Sequence, residues 1–358
     1  MNTLFKSLTA FAFLPVLLSP LTASKALAAD VIGLSLPLNK RYAEFSERIE
    51  LGAFLAQKQL NNLGQDIEIS LVDDKCDSST VPELTKQLAN VKAIIGLPCF
   101  KVATELARAF KENEIAPPVF TLRTRNPTLK RLRDVEGLSL IEFANTPDAE
   151  AKAAMELIIP KFKAKPYAIL DDGSVYGRGL ADALRLLAEQ NGLKPITSAN
   201  FRPLQTNQRA LVRRLQRSGV EAVFVAADSE DVVTIANDIT ALNLNWPVAT
   251  GEQISLLPFA NGAKELERPI YAVAPVIRPI INTEAQELFL QQKIPTDPET
   301  ILGYVMVEVA SQLIKTPNQK EFETILGNIE IGSDARLIVE PFQLYQWSNG
   351  QLSTTESN

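Results

Sequence analysis

Short apolar runs alternate with longer stretches in which apolar residues recur every three or four positions, through most of the chain. The run 31–36 leads into a loop through Pro37, Asn39 and Lys40. Ile49, Ala53, Ala56 and Leu60 then follow at helical spacing, ending at Asn61-Asn62-Leu63-Gly64. Ile67, Ile69 and Leu71 alternate with polar residues, as a strand does. A helix is predicted over 81–90, a buried strand over 93–96, a helix over 102–112 and a strand over 118–121. A second series begins after Asn145-Thr146-Pro147-Asp148, with helices at 149–159, 178–190, 208–217 and 230–242. Its strands are expected at 166–171, 195–199, 222–226 and 247–250. A connecting strand at 271–275, a late helix at 298–314, strand character over 335–344 and a hairpin turn at Asn349-Gly350 complete the pattern. Repeated β-then-α units mean an α/β fold with parallel sheets covered by helices on both faces, and two such series mean two doubly wound lobes. In sheets of this kind ligands sit beyond the carboxyl ends of the strands. Those loops are 37–42, 73–78, 97–101 and 122–126 in the first half, and 172–176, 227–229 and 251–253 in the second.

The first 28 residues stand outside the alternation. Lys6 supplies a positive start, Leu8 to Leu18 is an uncharged apolar run, and Ala26-Leu27-Ala28 is a small–x–small pattern before Ala29. Pro15 and Pro20 interrupt the stretch, which makes it a poor membrane span. It reads as a cleaved secretory signal, so the mature protein is expected in an exported, oxidising compartment, which the resemblance given below implies to be the periplasm. Removing Lys6 and Lys25 leaves 34 basic residues against 42 acidic ones, a net charge of −8. Export also gives the two cysteines a meaning. In an oxidising compartment an even count favours a bridge, and Cys76–Cys99 is expected as a structural disulfide.

Composition then closes most routes to catalysis. The 358 residues contain no histidine, which removes Ser-His and Cys-His nucleophile schemes and imidazole zinc sites. Two cysteines cannot build a thiolate metal cage. The acidic balance argues against a nucleic-acid surface. Gly173, Gly177 and Gly179 do not have dinucleotide-fingerprint spacing, and there is no phosphate-loop motif. Asp73-Asp74 and Asp171-Asp172 are adjacent carboxylates at strand ends, where side chains diverge and acids commonly cap helices; neither reads as an acid/base pair or a metal site. No enzyme, no metal and no cofactor is expected.

Three segments carry a resemblance. Asp73-Asp74-Lys75-Cys76-Asp77 followed by Gly96-Leu97-Pro98-Cys99 resembles the disulfide-bearing segment of periplasmic leucine/isoleucine/valine-binding proteins. Asp171-Asp172-Gly173-Ser174-Val175-Tyr176-Gly177-Arg178-Gly179 is similar to that family's second-lobe strand and Tyr-Gly-x-Gly turn, and Gly251-Glu252 to its step before another cleft loop. The similarity runs from about Val31 to Gly350. It implies a type I solute-binding fold of two Rossmann-like lobes, joined by three crossovers near 143–147, 273–276 and 331–337. Lobe 1 would comprise 29–145 and 275–334, and lobe 2 would comprise 146–274 and 335–358. The family captures a solute by hinge closure and delivers it to a membrane ABC permease.

The same resemblance places site residues. Tyr176 would pack its ring over the ligand, and Glu252 would pair with a ligand ammonium in a water-poor cleft. Asp228 is either a second acid or a helix cap. Tyr42 is a candidate for the entrance, and backbone N–H groups at the helix start after Cys99 are available to a carboxylate. The first lobe departs from the amino-acid pattern, because Phe100-Lys101 follow Cys99 where the family has small hydroxyl residues. Leu122-Arg123-Thr124-Arg125-Asn126 replaces a small Ala/Thr loop. Thr124 can donate a hydroxyl. Arg123, if it points inward, can hold a carboxylate bidentately while Phe100 reduces the pocket. The expected ligand is an amino acid of branched-chain type or a related carboxylate, bound by a monomer. The alternative is a sensing or envelope-interaction protein on the same scaffold without transport duty.

Overall fold

The strands at the centre of the molecule have no polar face, because helices cover both sides of each sheet. The computed structural model describes residues 29–39, 42–113, 117–122, 128–144, 147–162, 164–276, 278–337 and 342–355. The expected signal segment therefore lies outside the described residues, as do Arg123, Thr124 and Arg125.

The first lobe holds β1 (Asp30–Leu36), β2 (Ile67–Asp73), β3 (Ala93–Gly96), β4 (Val119–Leu122) and β5 (Leu140–Phe143), all parallel, in the order β2-β1-β3-β4-β5. Its helices include α1 (Ala43–Asn62), α2 (Val81–Gln87), α3 (Phe100–Glu112) and α4 (Leu129–Asp134). Alternate residues of one strand feed different cores. Ala93 and Ile95 pack with α1, whereas Ile94 packs with α2 and α3. This is the reason the strands read as continuous apolar runs.

The second lobe repeats the plan. After α5 (Pro147–Ala153) come β6 (Tyr167–Asp171), α6 (Val175–Gln190), β7 (Thr197–Asn200), α7 (Arg209–Arg217), β8 (Ala222–Ala226), α8 (Ser229–Ala241), β9 (Val248–Thr250) and β10 (Ile270–Pro275). The parallel order β7-β6-β8-β9-β10 reproduces that of the first lobe. The chain then returns to lobe 1 for α9 (Thr283–Gln292), α10 (Pro298–Lys315) and a small hairpin, β11 (Glu321–Thr324) with β12 (Gly327–Glu330). It ends in lobe 2 with β13 (Phe342–Ser348), antiparallel to β10, and β14 (Gln351–Thr354).

Helices α1 and α10 lie against each other at a point where neither can carry a side chain. A Cβ at Gly52 would stand 1.8 Å from the Thr300 carbonyl oxygen, and one at Gly303 would stand 2.1 Å from that of Ile49. This contact fixes the returning segment to lobe 1.

Two expectations need correction. The 271–275 segment is not a connector: it is a full strand of the second sheet, paired with β9 on one side and β13 on the other. The 335–344 segment is not one strand. Ala335 and Leu337 are buried in the first lobe's core, beyond the expected end of that lobe at 334, and β13 begins only at Phe342. The cause is Arg336, which bridges to β5 at Glu142. The Glu142 amide donates to the Ala335 carbonyl (3.0 Å) and the Leu337 amide to the Glu142 carbonyl (3.0 Å).

Candidate ligand cleft between the lobes

In each lobe a strand ends on two aspartates, and both pairs shape the turn that follows. Asp73 Oδ1 accepts from the Lys75 amide (3.0 Å) and from the Leu38 amide (3.0 Å), while Asp74 Oδ1 accepts from the Cys76 amide (2.8 Å). Asp171 Oδ1 accepts from the Gly173 amide (2.9 Å) and Asp172 Oδ1 from the Ser174 amide (2.9 Å). These are Asx turns, the local structure that Asp forms with the backbone two residues ahead. Burial pushes the Asp74 carboxyl up from its ordinary value, opposed by the Cys76 amide and the Ser35 hydroxyl. On the first-lobe side the turn carries Cys76 to Cys99, and the two are joined as a disulfide with Cα atoms 5.4 Å apart.

On the second-lobe side the turns lead to Tyr176 and Asp228. Ser174 caps α6, its hydroxyl accepting from the Gly177 amide (2.9 Å). Tyr176 sits in the first turn of that helix, half-buried against the second-lobe core. Its hydroxyl donates to Glu150 Oε1 at 2.9 Å. The same oxygen accepts from the Glu252 amide at 2.7 Å. Glu150 is fully buried in the first turn of α5, and Glu252 is 5 % exposed. Asp228 precedes α8. Its backbone carbonyl, rather than its carboxylate, receives the Asp231 and Val232 amides (3.1 Å each), and its own amide donates to Asp172 Oδ2 (3.3 Å).

A cavity of about 960 Å³ opens between the lobes, at the upper end of the range for small-molecule sites. Lobe 2 contributes Glu252, Ser255, Lys264 and Tyr345; lobe 1 contributes Glu44, Arg48, Asp297, Glu299, Ile301 and Val305. Phe143, Val276 and Leu337, at the three passages between lobes, close one side. Arg48 Nη1 lies 3.9 Å from Asp297 Oδ2, and its Nη2 lies 4.0 Å from Glu44 Oε1. Asp297 also caps α10, accepting from the Thr300 amide (3.1 Å) and hydroxyl (2.8 Å). The wall is thus apolar, with both signs of charge distributed on it.

Of the residues expected from sequence, Glu252 lines this cavity. Tyr176 stands behind it, connected through Glu150. Tyr42 is part-buried just before α1, and Cys99 occupies the N-cap position of α3. Phe100 packs against the first-lobe core rather than into the cavity. Lys101 is 77 % exposed along α3, 3.9 Å from Glu105, and is not brought to the cleft. Arg123 and Thr124 lie outside the described residues. Sequence reasoning missed Glu150, Arg48, Asp297 and Glu299. Glu150 carried one signal, an acid in the first turn after the first crossing. Arg48 and Asp297 carried none, since 248 intervening residues separate them. Among the described residues there is no helix long and apolar enough to cross a membrane, and no cluster suited to a metal ion.

The sequence profile described as periplasmic binding protein matches residues 31–292. The chain is 24 % identical over 370 residues to the Leu/Ile/Val-binding protein BraC3 of Rhizobium johnstonii, covering 96 % of this chain and all of that one. It is 27 % identical over 210 residues to an amino acid binding protein of Pseudomonas aeruginosa, covering 56 % of this chain and 54 % of the other. Among solved structures, the leucine-binding protein LivK of Thermotoga maritima superposes with a TM-score of 0.75 at 16 % identity, over 91 % of this chain and 97 % of that one. A solute-binding protein of R. palustris in complex with benzoate superposes with a TM-score of 0.71, also at 16 % identity, over 91 % and 95 %. Those likenesses establish a shared two-lobed fold. The topology and the profile agree: the chain belongs to the periplasmic binding protein family.

Proposed function

We propose that this chain is the exported solute-capturing component of an ABC transporter. It encloses one amino acid of branched-chain type, or a related carboxylate, and presents it to a membrane permease as a monomer. The family consists of solute-binding proteins rather than enzymes. The observation that carries the reading is Glu252, a nearly buried carboxylate lining a cavity to which both lobes contribute walls. A carboxylate held out of water pairs strongly with an ammonium group. Ile301, Leu302 and Val305 offer apolar surface for a side chain, and the cations Arg48, Lys264 and Arg278 also line the cavity, within reach of a carboxylate held there.

Closure follows from the geometry. A solute touching both lobes contributes free energy only when they are close, so it shifts the population toward the closed form. The export signal, the periplasmic location and the partnership with a permease belong to this proposal, supported by the apolar leader 1–28 and by the family.

The test is a thermal-shift screen of purified protein against aliphatic amino acids, dicarboxylates and aromatic acids. A ligand at one hundred times its Kd stabilises by about 2.7 kcal/mol. A rise in Tm with one chemical class supports the reading, and a flat response across all three contradicts it.

A further inference from the structure

The contact that organises the second lobe's cleft loops comes from a residue outside those loops. Glu150 is the fourth residue of α5, directly after the first passage between lobes, and none of it reaches solvent. One of its oxygens, Oε1, receives both the Tyr176 hydroxyl (2.9 Å) and the Glu252 amide (2.7 Å). Those donors arrive from different strand ends, β6 and β9. Nothing larger than glycine fits between them: a Cβ at Gly251 would stand 1.9 Å from Glu150 Oε1 and 2.7 Å from the Tyr176 hydroxyl.

We propose that Glu150 is the positioning residue of the second half-site, holding Tyr176 and Glu252 as one rigid unit beside the first crossing. The consequence for recognition rests on the proposed function above. With its hydroxyl committed to Glu150, Tyr176 supports the Glu252 loop from behind the cavity rather than serving as a hydrogen-bond donor to the solute. With its amide fixed, the Glu252 backbone is set in place before the solute arrives, which lowers the ordering cost of binding. Because α5 follows the crossing directly, the unit also moves with the hinge as a body.

The substitution Glu150→Gln keeps an oxygen acceptor of the same reach, Glu150→Asp withdraws it by one methylene, and Glu150→Ala removes it. Hydrogen exchange on the ligand-free full chain reads the geometry without any ligand. The Glu252 amide is expected to exchange at least about tenfold faster in the Ala and Asp variants, and within about threefold of wild type in Gln, with β8 and β10 unchanged. Equal protection of that amide in all four proteins overturns the proposal, as does loss of protection in Gln equal to that in Asp. Should the Ala variant not fold, the Asp and Gln pair decides alone. L-leucine, L-isoleucine and benzoate serve as binding probes. A probe that binds wild type is expected to lose about tenfold or more in affinity in the Asp variant and about threefold at most in Gln. Undiminished affinity in Asp overturns the positioning role. If the exchange pattern appears while no probe binds wild type, the positioning stands and the choice of solute class fails.

Discussion

Arg336 is a guanidinium with 10 % of its side chain exposed, set between Glu142 (2.7 Å, fully buried) and Asp334 (3.1 Å). It joins the end of β5, just before the first crossing, to the segment before the third. Replacing one member of a buried pair leaves the other charge without compensation and typically costs about 3–5 kcal/mol. Arg336→Met is therefore expected to lower the denaturation midpoint strongly, whereas the double change with Glu142→Leu recovers much of the loss; chemical denaturation of the three proteins checks this. Glu308 makes a second prediction at the same scale. Burial pushes its carboxyl from an ordinary 4.5 up to about 8, with Glu323 acting in the same direction and the Ile325 amide opposing. The unfolded chain ionises this group near 4.5 while the folded chain keeps it neutral. Its contribution to stability is thus complete below pH 4.5 and is lost as pH rises through about 8. The Tm of Glu308→Gln minus that of the unmodified protein should grow between pH 5 and pH 8.5; a constant difference contradicts the assignment. Single residues were the least legible scale. Glu252 stood out only through the family resemblance of Gly251-Glu252, whereas Glu308 and Arg336 acquire their roles from burial among segments distant in sequence.

At the scale of elements the pattern was more informative. Strands with both faces buried, such as β8, announce themselves as apolar runs, and the helices that cover them show one apolar stripe. β5, α9 and the β11–β12 hairpin went unseen for physical reasons. β5 has four residues, α9 buries only Ala285, Leu288 and Phe289, and in the two hairpin strands only Phe322 and Thr324 are buried. The β10 segment was visible but its role was not, because pairing with β13 depends on a chain return of more than sixty residues. The disulfide is the element-level prediction. Cys76 and Cys99 are 23 residues apart and tie the β2 turn to the start of α3. Loop-closure entropy assigns such a bridge about 3 kcal/mol. Cys76→Ser with Cys99→Ser should lower the unfolding free energy read from urea denaturation by that amount, moving the midpoint down, and exchange should rise first at 74–80 and 97–101. An unchanged midpoint would show that packing of α2 and α3 suffices without the bridge.

For the whole molecule, two sheets share one five-strand parallel order, the second extended by the antiparallel β13 and β14, and the cavity lies beside the three chain passages between the lobes. The doubled β-then-α pattern anticipated the two lobes. The exact walls of the cavity were out of reach, because Glu44 and Arg48, Glu252, and Asp297 to Val305 come from three distant stretches brought together by the α1–α10 contact and the return to lobe 2. The central claim is that one solute is held between the lobes against Glu252. Calorimetric titration with the best compound from the thermal screen tests it most directly, comparing the unmodified protein with Glu252→Gln. The predicted result is one ligand per chain, with affinity about tenfold to a hundredfold weaker in the Gln variant. Equal affinity in the two proteins, or a stoichiometry other than one, would contradict it.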